Sequence, residues 1–192
     1  MRVLEVRRHV FTKKGAERGR GSHLSQAGVD LARRIGEEAG RFDLVQVSPI
    51  PRTMETAIAM GFAVDDVVEA LGPEDQDLYQ EIGHLERWGW PTPLAEFARL
   101  IDLGNQTTTL SQLVHDHFRS MLAQIPEDER ALAISHGRVI ECGVLPFSAS
   151  DTYADWGEPF RHGEGVRIVQ HEPGNFAVEL LRCPDGGEMV GG

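Results

Sequence analysis

The sequence predicts an α/β fold: a three-layer α/β/α sandwich with a mostly parallel central sheet and a C-terminal antiparallel hairpin. Three observations carry this reading. Short apolar runs with strand character, at residues 2–7, 42–47 and 131–135, alternate with segments of helical period. Strands that alternate with helices build a parallel sheet covered on both faces. Late in the chain, residues 165–171 and 176–182 flank Glu172-Pro173-Gly174-Asn175, the pattern of a hairpin.

The elements follow in order. In the first strand, alternation puts Leu4, Val6 and Arg8 on one face and Glu5 with Arg7 on the other, so Glu5 and Arg7 are placed to pair. Residues 12–22 are rich in Gly, Lys and Arg, lack an apolar period and read as a loop. Ser25 is the expected N-cap of the next helix, with Leu24 packing on Val29 as a staple and Ala27, Leu31, Ala32 and Ile35 facing inward. Ser48-Pro49 is the exit of the second strand, and a short helix at 52–61 turns Met54, Ala57 and Ile58 inward. Residues 63–91 are acidic, broken by Gly and Pro, and suggest no regular element. Thr92-Pro93 has the form of an N-cap followed by proline at the first helical position. At 108–125, Leu110, Leu113, Val114, Phe118, Met121, Leu122 and Ile125 form one stripe. A further helix is expected from Gly137 to Pro146. The boundaries predict a single domain over 1–184 and a flexible glycine-rich tail over 185–192.

Composition narrows the function classes. The formal net charge of −11 disfavours nucleic acid, whose binding depends on cationic contacts to phosphates. No apolar stretch is long enough to span a bilayer, so no membrane partner is expected. Cys142 and Cys183 have neither metal-ligand spacing nor the number for a disulfide framework, which points to free thiols in the cytoplasm. An anionic substrate therefore requires a locally cationic pocket within an acidic shell.

Three fragments supply such a pocket. Arg8-His9, Ser48-Pro49-Ile50-Pro51-Arg52 and Ile134-Ser135-His136-Gly137 each follow an apolar strand-like run. In open α/β sheets, ligands bind outside the carboxyl ends of the strands, where all three are predicted to lie. Arginine donates paired hydrogen bonds to phosphate oxygens, and a neutral imidazole can attack phosphorus. A carboxyl group that protonates the leaving oxygen completes the set.

In these fragments, and in Leu24-Ser25-Gln26-Ala27-Gly28, the chain resembles the histidine phosphatase superfamily, which includes the cofactor-dependent phosphoglycerate mutases. The resemblance spans roughly residues 3–146. It implies a phosphatase that hydrolyses a small phosphomonoester through a phosphohistidine on His9, with no metal and no organic cofactor. Arg8, Arg52 and His136 then bind the phosphoryl group, with Gly137 and Thr12 beside them. By analogy the proton donor is Glu81, with Glu69 and Glu86 as competitors. A phosphoglycerate-type mutase and a non-catalytic phospho-ligand binding relative are the alternatives; oligomeric state is left open. The family's glycine after the first histidine is Val10 here, a costly residue if the backbone needs positive φ or a ligand must come close.

The remaining histidines read differently. His115 and His117, two apart on a helix, do not converge on one ion, and His117 suits a packed position. His84 reads as a loop histidine, and His23, His162 and His171 show no arguable chemistry. Lys13, Lys14, Arg18 and Arg20 read as solvated surface, with an electropositive lip over the pocket as the alternative.

Overall fold

The structure is a computed structural model that describes residues 1–13, 22–72, 92–148, 153 and 155–183. Glu81, Glu86, His84, Lys14, Arg18, Arg20 and the tail 185–192 lie outside the described residues.

Six strands form one sheet in the order β3-β2-β4-β1-β5-β6. They are β1 Arg2–Arg8, β2 Leu44–Val47, β3 Asp66–Val67, β4 Arg130–Ser135, β5 Gly165–Glu172 and β6 Asn175–Leu181. The first four are mutually parallel, and β5 runs antiparallel to both β1 and β6. The helices are α1 Gln26–Ala39, α2 Pro51–Ala59, α3 Pro93–Ile101, α4 Gln106–Gln124 and α5 Val139–Val144. A mostly parallel sheet with a C-terminal antiparallel hairpin, as the sequence predicts, is what forms.

Each face of the sheet has its own core. Leu4 and Val6 of β1 join Phe97, Leu110, Val114, Phe118, Met121 and Ile140 on the side of α3, α4 and α5. Leu132, Ile134, Val45 and Val47 pack with Leu31, Ala32, Ala57 and Met60 on the side of α1 and α2. Ser25 caps α1 by accepting the Gly28 N–H at 3.1 Å. A Cβ on Gly28 would stand 2.1 Å from the Phe11 carbonyl oxygen, so this position requires glycine if α1 is to lie against the segment leaving β1.

Four details depart from the sequence reading. Ile58 is 60% exposed and Met54 only partly buried, because the inward face of α2 consists of Thr53, Thr56, Ala57 and Met60. The threonine hydroxyls are accommodated there by bonding the Ser48, Ile50 and Arg52 carbonyls. Leu113 is likewise 45% exposed, lying off the stripe that buries Leu110, Val114, Phe118, Met121 and Leu122. Helix α4 starts earlier than predicted, at an Asn105 side chain that accepts the Thr108 N–H. Thr92 precedes proline at the start of α3 as predicted, but its side chain makes no capping bond.

The predicted Glu5–Arg7 pair forms and is part of a larger cluster. The Glu5 carboxylate is fully buried and accepts from Arg7, Arg130 and Arg167, with ion-pair distances of 3.1, 2.5 and 3.0 Å. Arg167 sits directly opposite Glu5 in the β1–β5 register, and Arg130 also donates to the Ala39 carbonyl at the end of α1. One carboxylate thus ties three strands and a helix together. Removing one partner of a buried charge cluster strands the rest without compensation. Glu5→Ala is therefore expected to destabilise the fold by about 3–5 kcal/mol, read as a lowered urea midpoint with an unchanged slope.

Candidate active site

The parallel strands all end on the same side, and their exits meet there. Arg8 is the last residue of β1 and lies opposite Ser135, the last residue of β4, so His9 and His136 leave side by side. The His9 N–H donates to the Ser135 carbonyl at 3.0 Å, and the two imidazole centroids are 5.2 Å apart. From β2, Ser48-Pro49-Ile50 turns into α2, whose second residue is Arg52.

Arg52 organises the group. Its Nε donates to His9 Nε2 at 3.0 Å, one terminal nitrogen to His136 Nδ1 at 3.0 Å, and the other to Ser22 Oγ at 2.9 Å. These bonds fix both tautomers. His9 Nδ1 carries the proton and donates to the Val10 carbonyl at 2.8 Å, leaving a lone pair on Nε2. His136 accepts at Nδ1 and therefore donates from Nε2 to Ser48 Oγ, at 2.7 Å. Ser48 in turn meets Thr53 Oγ1 at 2.9 Å and accepts from the Ile50 N–H at 3.2 Å. The polar residues of Ser48-Pro49-Ile50-Pro51-Arg52-Thr53 thus form one satisfied network beneath the imidazoles. Ser22 is held close because Glu55 of α2 accepts the Leu24 N–H at 2.7 Å and pairs with His23.

Behind His136 the backbone turns sharply. Arg138 has φ 78°, an uncommon conformation for a side-chain-bearing residue. The turn is clamped by Glu141, whose fully buried carboxylate accepts the N–H groups of Arg138 at 2.5 Å and Phe160 at 3.0 Å. Burial pushes the Glu141 carboxyl above its ordinary range, while those N–H bonds and the nearby Arg8 cation oppose the shift. The Phe160 carbonyl accepts from Arg8 at 2.9 Å, so Glu141 links the His136 turn to the seat of Arg8.

The site is cationic with neutral imidazoles. Burial holds the His9 pKa well below 6.5, helped by His136, Arg8 and Arg52. His136 is lowered in the same way by burial and then by Arg52, Arg8 and Arg138. His162, on the turn before β5, is lowered to about 3 by burial and then by Arg8 and Arg52. Among the described residues, no group of three His, Cys, Asp or Glu side chains is placed to hold a metal ion. His117 is the packed histidine the sequence suggested, bonding Gln46 Oε1 at 2.9 Å, and His115 lies against Phe147.

Arg8, His9, Arg52 and His136 are thus brought together, and Gly137 is buried in the turn after His136. Thr12 is joined to Leu24 by an isolated backbone bridge, and its side chain bonds none of the four. Lys13 is exposed on the same segment. Glu69 is exposed in a short 3₁₀ turn, whose Leu71 carbonyl accepts from Ser135 Oγ. Val10 has no positive φ, and its side chain is fully buried in the α1–α2 core, so the expected conflict at that position does not arise. His162 corrects the sequence reading: its ring packs at 5.3 Å from His9 and 5.0 Å from Phe11. It is brought there by the antiparallel β5, which starts where β1 ends, with Gly165 opposite Arg7, and no signal in the sequence announces that pairing. Ser22, Ser48, Thr53 and Glu141 were also missed, since each acts through a contact distant in sequence or through a backbone turn.

Solved structures similar to this one share the arrangement of elements. A mycobacterial glucosyl-3-phosphoglycerate phosphatase superposes with a TM-score of 0.66 at 16% identity, covering 94% of this chain and 98% of its own. A mutant phosphoserine phosphatase from Entamoeba histolytica, in complex with phosphoserine, gives 0.65 at 15% identity, covering 94% and 97%. YhfR from Bacillus stearothermophilus gives 0.64 at 22% identity, covering 94% and 96%. The fold is that of the histidine phosphatases. By sequence, no family model and no curated protein matches the chain. On this histidine phosphatase fold, Arg8, His9, Arg52 and His136 sit at the carboxyl ends of the parallel strands, where open α/β sheets bind ligands.

The depressed imidazoles give stability a definite pH dependence. An unfolded histidine titrates near 6.5, whereas the folded rings stay neutral to lower pH. Below about pH 6.5 the unfolded chain therefore binds protons that the folded state does not, and stability falls as pH falls. For His162 this window runs from about 6.5 down to about 3. Each ring adds a slope of at most about 1.4 kcal/mol per pH unit within its window. Urea unfolding is expected to show lower stability at pH 5 than at pH 7, with a smaller difference in His162→Phe.

Proposed function

We propose that this protein is a phosphatase that hydrolyses a small phosphomonoester through a phosphohistidine on His9, without a metal or organic cofactor. One observation carries the reading: a histidine whose tautomer is pinned through Nδ1 keeps its Nε2 lone pair, bonded at rest to Arg52, beside Arg8 and a second imidazole. The likeness to phosphatases whose names specify phosphoserine and glucosyl-3-phosphoglycerate supports a phosphate ester as substrate. The free thiols of Cys142 and Cys183 suit a reducing cytoplasm, and no helix among the described residues is long and apolar enough to cross a membrane.

In the reaction, the Nε2 lone pair attacks phosphorus as the bond to the ester oxygen breaks. The leaving oxygen takes a proton from a carboxylic acid, for which Glu81 is the proposed donor. The ring acquires positive charge, which the Nδ1–H bond to the Val10 carbonyl stabilises. Water then attacks phosphorus, the P–N bond breaks, and the water proton passes to the carboxylate. Inorganic phosphate leaves and Nε2 recovers its lone pair. Arg52 occupies Nε2 at rest, so its guanidinium moves onto the phosphoryl oxygens when substrate enters. There it stabilises the spreading negative charge together with Arg8, while His136, braced by Ser48 and released by Arg52 at Nδ1, takes up a proton beside the phosphoryl dianion and donates from Nδ1 to the same group.

His9→Ala is expected to abolish release of phosphate from a generic aryl phosphate while the far-UV circular dichroism stays unchanged. Activity within about tenfold of the parent removes His9 from the role of nucleophile, and turnover that a chelator stops points to a metal-dependent reaction. Arg52→Ala is expected to lower kcat by about 10²–10³, the loss typical of one preorganised donor to a transition-state oxyanion. A change confined to KM would assign Arg52 to ground-state binding alone.

A further inference from the structure

The geometry points to His162 as a further substrate-contacting residue that hydrogen-bonds the phosphoryl group from the β5 side of His9. This inference rests on the phosphatase reading and deepens it. The sheet order β4-β1-β5 sets three strand ends side by side, and each delivers one histidine: His136 after β4, His9 after β1 and His162 before β5. The outer rings stand almost equally far from the central one, at 5.2 and 5.3 Å between centroids.

The placement of His162 is built rather than incidental. The Arg8 N–H donates to the Glu164 carbonyl at 2.8 Å, and the Gly163 N–H donates to the Arg8 carbonyl at 3.1 Å. These bonds clamp the turn from both sides of the residue that precedes His9. Gly163 follows with φ 78°, a conformation that favours glycine, so the turn closes there without backbone strain. Glu164 fixes the far side by accepting from Arg182 at 2.8 Å and from the Arg161 N–H at 2.9 Å.

Within that frame the His162 ring is sandwiched between His9 and Phe11, and neither of its nitrogens takes a hydrogen bond from the described residues. A half-buried imidazole packed edge-on against His9, with its nitrogens not sealed from solvent, is placed to bond a group held on His9. The charges acting on it are Arg8 from β1 and Arg52 from α2, the two cations assigned to the phosphoryl group. A bound phosphate dianion offsets their field at the ring. His162 then donates an N–H to a phosphoryl oxygen that neither His136 nor the arginines fully satisfy.

Calorimetric titration with inorganic phosphate separates this role from packing. His162→Phe keeps an aromatic ring against Phe11 and His9 but has no nitrogen, whereas His162→Gln keeps a donor and loses the ring. The expected result is phosphate binding about tenfold or more weaker in His162→Phe, the size of one hydrogen bond to a charged group, with part of the affinity regained in His162→Gln. Binding by His162→Phe within about twofold of the parent overturns the inference. So does the reverse order, with His162→Gln impaired and His162→Phe normal, which assigns the ring to packing; a parent that binds no phosphate overturns it too. Turnover by His9→Ala tests the phosphohistidine reading separately, since it fails or survives without altering the ranking of phosphate affinities.

Discussion

Everything at the carboxyl end of the sheet depends on the parallel pairing of β1 with β4. Six residues pair from Val3 with Arg130 to Arg8 with Ser135, and this register brings two chain exits, 127 residues apart at His9 and His136, into contact. A shift of one residue would turn Leu4 and Val6 out of their core and bring Glu5 and Arg7 into it. The apolar alternation of β1 therefore fixes the position of the imidazoles as firmly as any contact made by the imidazoles themselves. Burial of two cores thus sets the geometry of a polar site.

That polar site keeps its imidazoles neutral. Burial first, and then the fields of neighbouring groups including Arg8 and Arg52, keep the rings neutral, and the rings accept from Arg52 because they are neutral. Charge and tautomer are mutually consistent: each Arg52 bond needs a lone pair, and burial together with the nearby cations keeps a proton off it. The arrangement leaves net positive potential that an anion completes, inside a chain whose overall charge is −11.

The opposite situation holds on the α1–α2 face of the sheet. There a single buried carboxylate, Glu5, collects Arg7, Arg130 and Arg167, and positive charge is consumed rather than stored. Arg7 and Arg8 are neighbours in sequence with opposite duties, because successive strand residues face opposite sides of the sheet. One arginine joins the Glu5 cluster, and the next lies at the strand end beside His9, bonded to the Phe160 carbonyl.

The sequence by itself determined the α/β class, three of the four parallel strands with the helices between them though not β3, the Ser25 cap and the C-terminal hairpin, and it named Arg8, His9, Arg52 and His136 as candidates for the site. These were legible because periodicity and local punctuation write elements into short windows, and because each of the four follows directly on an apolar run. Only the tertiary structure decided what those residues lean on. Ser22 reaches Arg52 through a segment anchored by Glu55, Glu141 joins two turns by backbone N–H groups, and Thr53 and Thr56, not Ile58, share the inner face of α2 with Ala57. Val10, which by sequence threatened the pocket, points into the core instead. His162 was unreadable for the same physical reason: its neighbour His9 is brought to it by an antiparallel strand pairing, and no local pattern encodes which distant strand end lies beside which.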